Sequence, residues 1–323
     1  MSTQKQQIGL IGAGAWGKNH LRNLYKLGVL NTVLETAEGI TNQLKQEFPE
    51  TNYVNDLKTF LNKKEIKGVV IAAPAELHYQ LTKECLLAGK DVLVEKPLAL
   101  NVAEGEELVE LAKKNKRILM VGHILQYHSA VIKLKEMIDN GDLGRIRYIY
   151  SNRLNIGKLR TEENVLWSFA PHDISLILMF MGGEEPTKVE AHGGSYINNN
   201  IFDTTLTTVE FKNGVRGHVF VSWLHPFKEQ KLVVVGSEKM VVFDDVSKEK
   251  LFIYPHKIKW AQGKIPVAHK EDYVTVDIEL KQPLEEELKH FIRCVETREI
   301  PKTDGKEGLK VLRVLEKAQN RLQ

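Results

Sequence analysis

Between Ile8 and Gly122, six short strand-like runs alternate with segments of helical length: Ile8 to Ile11, Leu30 to Leu34, Asn52 to Val54, Val69 to Ala72, Val92 to Val94 and Ile118 to Val121. Strands separated in this way form βαβ units, which make a parallel sheet covered by helices. The intervening segments agree. Leu81, Cys85 and Leu86 share one helical face, as do Val102, Leu108, Leu111 and Ala112.

Beyond Gly122 the alternation stops. A helix is expected around Ala130 to Ile138, strands around Ile146 to Asn152 and an apolar helix near Asp173 to Met181. From Lys188 to Phe252, strand follows strand, with turn signals at Lys212-Asn213-Gly214, Gly236-Ser237 and Asp244-Asp245. This predicts an open, mostly antiparallel sheet with at least one helix on it. Leu284 to Leu322 reads as two amphipathic helices, broken by Pro301 and restarted near Lys306. A chain of 323 residues exceeds what one core usually serves. The expected class is therefore α/β: a parallel-sheet Rossmann domain over residues 1–122 and an α/β domain over 123–323, with terminal helices able to pack back on the first.

Composition removes several function classes. Basic and acidic residues number 45 and 42, scattered along the chain, so nucleic acid is not an expected partner. No apolar run approaches the roughly 20 residues of a membrane span, so no membrane partner is expected. The opening Met1-Ser2-Thr3-Gln4-Lys5-Gln6-Gln7 lacks the layout of a signal peptide, which predicts a cytoplasmic protein. Cys85 and Cys294 both sit in amphipathic segments, are read as having no Cys or His at metal-ligand spacing, and are expected as buried thiols. There is no H-E-x-x-H motif, and no metal is expected.

The first strand ends in Gly12-Ala13-Gly14-Ala15-Trp16-Gly17, a G-x-G-x-x-G that follows a strand and opens a helix. The first glycine permits a tight turn, the second lets backbone approach a pyrophosphate and the third lets helix and strand pack closely. The helix N-terminus then offers N–H groups and partial positive charge to the anion. Glu35 ends the second strand, 18 residues after Gly17, near the spacing of the acid that hydrogen-bonds a ribose 2′-OH. A carboxylate there repels a 2′-phosphate and no arginine stands beside it, so NAD is favoured as cofactor over NADP. Two more strand ends face the same side of such a sheet: Ala73 and Pro74, with His78 beyond them, and Glu95-Lys96-Pro97. A half-buried Lys96 amine beside a hydroxyl could exchange a proton with it.

Together, Gly12-x-Gly14-x-x-Gly17, Ala73-Pro74-x-x-x-His78, Glu95-Lys96-Pro97, Val121-Gly122-His123 and the segment from Trp167 to Asp173 resemble the glucose-fructose oxidoreductase/inositol dehydrogenase/MocA family over nearly the whole chain. The resemblance implies an NAD(P)-dependent dehydrogenase or reductase acting on a CH–OH carbon of a sugar, inositol or nucleotide sugar. It implies Lys96 at the reacting hydroxyl with His172 beside it. Members commonly carry Asp four residues before this histidine; here the position is Ser168, which moves the expected catalytic pair to Lys96 and His172. Family members also bury an open sheet face between subunits, so a homodimer or homotetramer is expected.

Further substrate contacts are expected from His123 and Tyr127, from the basic stretch Arg153, Lys158 and Arg160, from Trp167 and Ser168, and from Trp223 or Tyr196 stacking on a ring. The alternatives are an NADPH-dependent keto-sugar reductase, an inositol dehydrogenase, or a Rossmann-fold binding protein that has lost catalysis.

Overall fold

A computed structural model describes residues 7–322 apart from Lys158, Glu162 and Gln262. Lys158, expected in the basic stretch, therefore lies outside the described residues. The chain divides into two compact units, residues 1–124 with 282–312, and residues 125–281 with 313–323. The chain thus leaves the first unit after residue 124 and returns to it over residues 282–312.

The first unit contains β1 (Ile8–Ile11), α1 (Gly17–Lys26), β2 (Leu30–Leu34), α2 (Glu38–Glu47), β3 (Asn52–Val54), α3 (Leu57–Leu61), β4 (Gly68–Ile71), α4 (His78–Leu87), β5 (Asp91–Glu95), α5 (Val102–Lys114) and β6 (Leu119–Gly122). The sheet is parallel throughout, in the order β3-β2-β1-β4-β5-β6. All four residues of β1, β4 and β6 are buried, as sheets covered on both faces require. The order reverses at β1 and β4, so the chain leaves these neighbouring strands in opposite directions and opens a crevice at their carboxyl ends.

The second unit contains α6 (Ser129–Asp139), β7 (Ile146–Leu154), α7 (Val165–Phe180), β8 (Lys188–Gly194), β9 (Thr204–Glu210), β10 (Arg216–Ser222), β11 (Glu229–Gly236), β12 (Met240–Asp244), β13 (Leu251–Tyr254), β14 (Lys257–Ala261), β15 (Ile265–His269) and β16 (Val274–Thr275). Eight strands form one sheet in the order β16-β13-β12-β11-β7-β10-β9-β8, parallel only at β7 and β10. β9 alternates buried and exposed residues, the mark of one covered and one open face. β14 and β15 form a separate hairpin.

Helix α7 begins at Val165, eight residues before its expected start. Pro171 lies inside it and does not open it. The Asn164 side chain caps the helix by accepting from the Trp167 amide at 3.3 Å, and Val165, Leu166 and Ala170 are buried. A good cap and a buried apolar face outweigh the one backbone bond that proline removes.

The last helices, α8 (Pro283–Thr297) and α9 (Gly305–Gln319), follow from an N-terminal proline, acidic first-turn residues and amphipathic spacing. α8 belongs to the first unit. Arg298, at its end, donates from Nη2 to Asp91 Oδ1 at 3.0 Å, and the same oxygen accepts from the Ile118 amide at 2.9 Å, fixing the starts of β5 and β6 together. Its buried face carries an exception. Glu287 is fully buried, and neither carboxylate oxygen has a hydrogen-bond partner among the described residues. Burial, reinforced by the negative charge of Glu95, pushes this carboxyl well above the ordinary range.

A carboxyl that folding holds protonated supplies stability below its unfolded pKa and loses it as pH rises through the folded pKa. The melting temperature of the wild type should therefore fall relative to Glu287→Gln as pH rises above about 5. Parallel melting curves for the two proteins would contradict a buried neutral acid.

Candidate active site

The glycine loop meets two steric demands. Gly12 has φ of 85°, and a Cβ there would lie 2.7 Å from the Ala72 carbonyl oxygen. A Cβ on Gly17 would stand 2.2 Å from the Gly12 oxygen, so only glycine lets α1 begin so close to β1. At Gly14 a Cβ would meet nothing within 4 Å. That glycine leaves open space beside the helix N-terminus, where an anionic group could approach backbone. Ala13 is buried, whereas Ala15 and Trp16 are exposed.

Glu35 folds over this loop from the end of β2. One carboxylate oxygen accepts the Ala13 amide at 2.8 Å and the other accepts the Ala37 amide at 2.9 Å. Ala73 is half-buried and Pro74 exposed at the end of β4 beside Gly12.

Glu95 is the junction of the unit. Its Oε1 accepts from Trp16 Nε1 at 2.6 Å and contacts His20 Nε2 at 2.7 Å, while Oε2 accepts the Lys96 amide at 3.3 Å. A Cβ on Gly122 would lie 3.1 Å from the same carboxylate, so the neighbouring strand needs glycine there. Burial alone would raise this carboxyl, but the His20 hydrogen bond and charge, the Trp16 indole and the Lys96 charge together hold it below the ordinary range. Lys96 is half-buried immediately after it. Sequence reasoning missed His20; its position on α1 three residues after Gly17, on the face that turns inward, is the signal that could have found it.

Several expected ligand contacts are spent inside the fold. His78 is 1% exposed, with Nδ1 2.7 Å from the Pro97 oxygen and Nε2 3.0 Å from the Ala73 oxygen. Burial lowers its pKa against the opposing effect of the two carbonyls, and the ring is enclosed between the loops after β4 and β5. His123 is buried against Glu307 at 2.6 Å and braces the end of β6 on α9. Both corrections have one cause: an imidazole is amphipathic enough to be buried once its nitrogens find partners.

In the second unit, Arg153 does not wait for an anionic substrate. It is buried and donates to Asp173, from Nε to Oδ2 at 2.7 Å and from Nη2 to Oδ1 at 3.2 Å; Ser151 adds a 2.6 Å bond to Oδ1. The Asp173 charge and hydrogen bonds raise the guanidinium pKa against the opposing effect of burial, which is the largest single influence. This pair pins α7 to β7 one residue from His172, which is half-buried. Ser168 is buried one helical turn before His172. Trp167 is half-buried, its Nε1 donating to Gln319 at 3.0 Å. Tyr127 is only 5% exposed.

Trp223 cannot stack on a substrate ring, because it is 1% exposed and packs edge-on to Phe169. A wide apolar residue at a strand end entered the core instead. Arg160 pairs with Glu163 at 3.0 Å and lines an open pocket of mixed character with Asn198, Asn200 and Asp203 beside Leu159 and Ile197. Asp203 holds the shape of its rim by accepting the Tyr196 and Ile197 amides at 2.6 and 2.9 Å. Both cysteines are buried free thiols, as expected.

The family model for oxidoreductases with an NAD-binding Rossmann fold matches residues 6–123, and the GFO/IDH/MocA C-terminal domain model matches residues 131–242. The chain belongs to the Gfo/Idh/MocA oxidoreductase family. It is 25% identical over 316 residues to a myo-inositol 2-dehydrogenase of Thermotoga maritima, covering 94% of this chain and 92% of that protein. It is 24% identical to a UDP-N-acetylglucosamine 3-dehydrogenase of Acidithiobacillus ferrooxidans over 95% and 94% of the two chains. The solved structure of that dehydrogenase superposes with a TM-score of 0.85 at 22% identity, covering 98% and 97%. A levoglucosan dehydrogenase solved with NADH and levoglucosan has a TM-score of 0.83 at 19% identity, over 98% and 97%.

Removing the negative partner of a buried pair leaves an uncompensated charge. Asp173→Asn should cost roughly 3–5 kcal/mol in denaturant unfolding. A loss within about 0.5 kcal/mol would mean the pair is not the anchor of α7.

Proposed function

We propose that this protein is an NAD-dependent oxidoreductase that moves a hydride between nicotinamide and a hydroxyl-bearing carbon of a sugar or nucleotide sugar. The observation that carries the cofactor choice is the Glu35 carboxylate resting on the glycine loop through the Ala13 amide. It stands where a ribose 2′-hydroxyl would find an acceptor and a 2′-phosphate would meet like charge. The open space at Gly14, the N-terminus of α1, the exposed Pro74 and the half-buried Lys96 at two strand ends fit a dinucleotide. When bound, NAD supplies the two-electron acceptor that the side chains lack.

The side chains handle protons and position. The Lys96 amine takes the hydroxyl proton during oxidation and returns it during reduction, with His172 assisting, so the same groups serve both directions. Glu95, fixed by His20 and Trp16, sets the backbone from which Lys96 projects. The pocket with Arg160, Asn198 and Asn200 offers donors and acceptors of the kind that sugar hydroxyls use. The relatives named for inositol, UDP-N-acetylglucosamine and levoglucosan activities support the sugar class.

Tyr273, Val274, Ile258, Trp260 and Ile265 are exposed on β14, β15 and the segment entering β16. This apolar surface supports a homo-oligomer. Light scattering should give a multiple of the chain mass, and a lone monomer at micromolar concentration would remove this part of the reading.

Glu35→Ser should raise affinity for NADP by about tenfold while weakening NAD. In the same assays Lys96→Ala should lose about 10²–10⁴-fold in kcat yet still bind NADH. Unchanged cofactor preference in the first variant, or full turnover in the second, would refute the corresponding role.

A further inference from the structure

At the C-terminal end of α8, three chemically different donors converge. His290 and Cys294 are four residues apart on one helix face. Arg298 ends the helix with a left-handed φ of 65°, which turns the chain back and brings Glu299 to the pair. Glu299 Oε1 lies 3.5 Å from His290 Nε2 and 3.9 Å from Cys294 Sγ. Ligand atoms of all three residues lie within 4.8 Å of one another, the one such group of potential metal ligands among the described residues. The histidine that sequence reading did not credit to Cys294 is therefore one helical turn away on the same helix.

A tetrahedral zinc ion, with bonds of about 2.0–2.3 Å, needs donor atoms roughly 3.3–3.7 Å apart. The two separations to Glu299 are within a few tenths of an ångström of that range. One thiolate, one imidazole and one carboxylate suit zinc or cobalt, whereas calcium and magnesium require oxygen ligands throughout. Cys294 is buried, and His290 is half-buried and leaves a route from solvent.

Three cations bear on the cluster: Arg293, Arg298 and Lys302, whose positive charge acts on His290. Arg293 donates from Nε to Glu299 Oε1 at 2.5 Å, but its side chain is 61% exposed, so it can release the carboxylate into water at little cost. Arg298 is already engaged by Asp91. Beyond Glu299 the chain runs to Thr303, which exchanges bonds with Val121 of β6. A cation at this turn would join α8 to the segment that lies along the sheet edge.

We propose that His290, Cys294 and Glu299 bind one zinc-class divalent cation, with water as fourth ligand and Arg293 as the counter-ion it displaces. Binding to the folded state alone would also raise thermal stability.

The test is titration of the full-length, chelator-treated and reduced chain with Co2+, followed by absorption spectroscopy. Binding should saturate at one equivalent with a near-ultraviolet thiolate-to-cobalt band and tetrahedral visible bands, and Zn2+ should displace the cobalt. Cys294→Ser and Cys294→Ala should both lose the thiolate band, with intact circular dichroism and NADH binding showing that they are folded. Cys85→Ser should keep it. His290→Gln should weaken cobalt binding by about tenfold or more, and Arg293→Ala should tighten it. Absence of the thiolate band in the wild type, its survival without Cys294, or equal affinity in His290→Gln would overturn the site. None of these readouts depends on turnover, so the site can fail without the proposed reaction failing.

Discussion

One buried carboxylate organises the cofactor unit. Glu95 takes the indole of Trp16 from the glycine loop, the imidazole of His20 from α1 and the amide of Lys96 from its own strand end, while Gly122 of the next strand makes room for it. An unpaired carboxylate at this depth would be costly. Its partners make it the point at which loop, helix and two strands agree on one geometry. The lysine that would move a proton is thus attached to the loop that would hold the dinucleotide. Positioning of this kind is what a protein contributes when a cofactor carries the redox chemistry.

The second unit uses a buried pair for the same purpose. Asp173 and Arg153 neutralise each other between α7 and β7, and Ser151 fills a further acceptor position. The helix so held carries Ser168 and His172 one turn apart. Ser168 places a buried hydroxyl one turn before the histidine, while the acid of this helix, Asp173, sits beside the histidine and is committed to Arg153.

Much of this was legible in the sequence because it follows from local rules. The six parallel strands came from alternation, the glycine loop from its place after β1, and Glu35 from its distance beyond Gly17. The open second sheet came from repeated strands and turns. Side-chain destinations were less legible, since they depend on partners distant in sequence. His123 meets Glu307, and His78 meets the Pro97 carbonyl. Arg153 meets Asp173, and Trp223 enters the core. Each residue type suits both a ligand site and a satisfied interior, and only the tertiary neighbours decide. The start of α7 was hidden by Pro171, because a proline reads locally as a beginning even where a distant cap and buried contacts carry the helix through it. The return of residues 282–312 to the first unit has no local signature beyond amphipathicity.

The most direct test of the central claim is to mix the wild-type protein with NAD and a panel of inositols, free sugars and nucleotide sugars, and to follow the near-ultraviolet absorbance of reduced nicotinamide. The account predicts a sustained rise with one sugar class, or its reversal when NADH is supplied with the matching keto-sugar. Cofactor binding without absorbance change in either direction across the panel would contradict it and favour a Rossmann-fold binding protein that has lost catalysis.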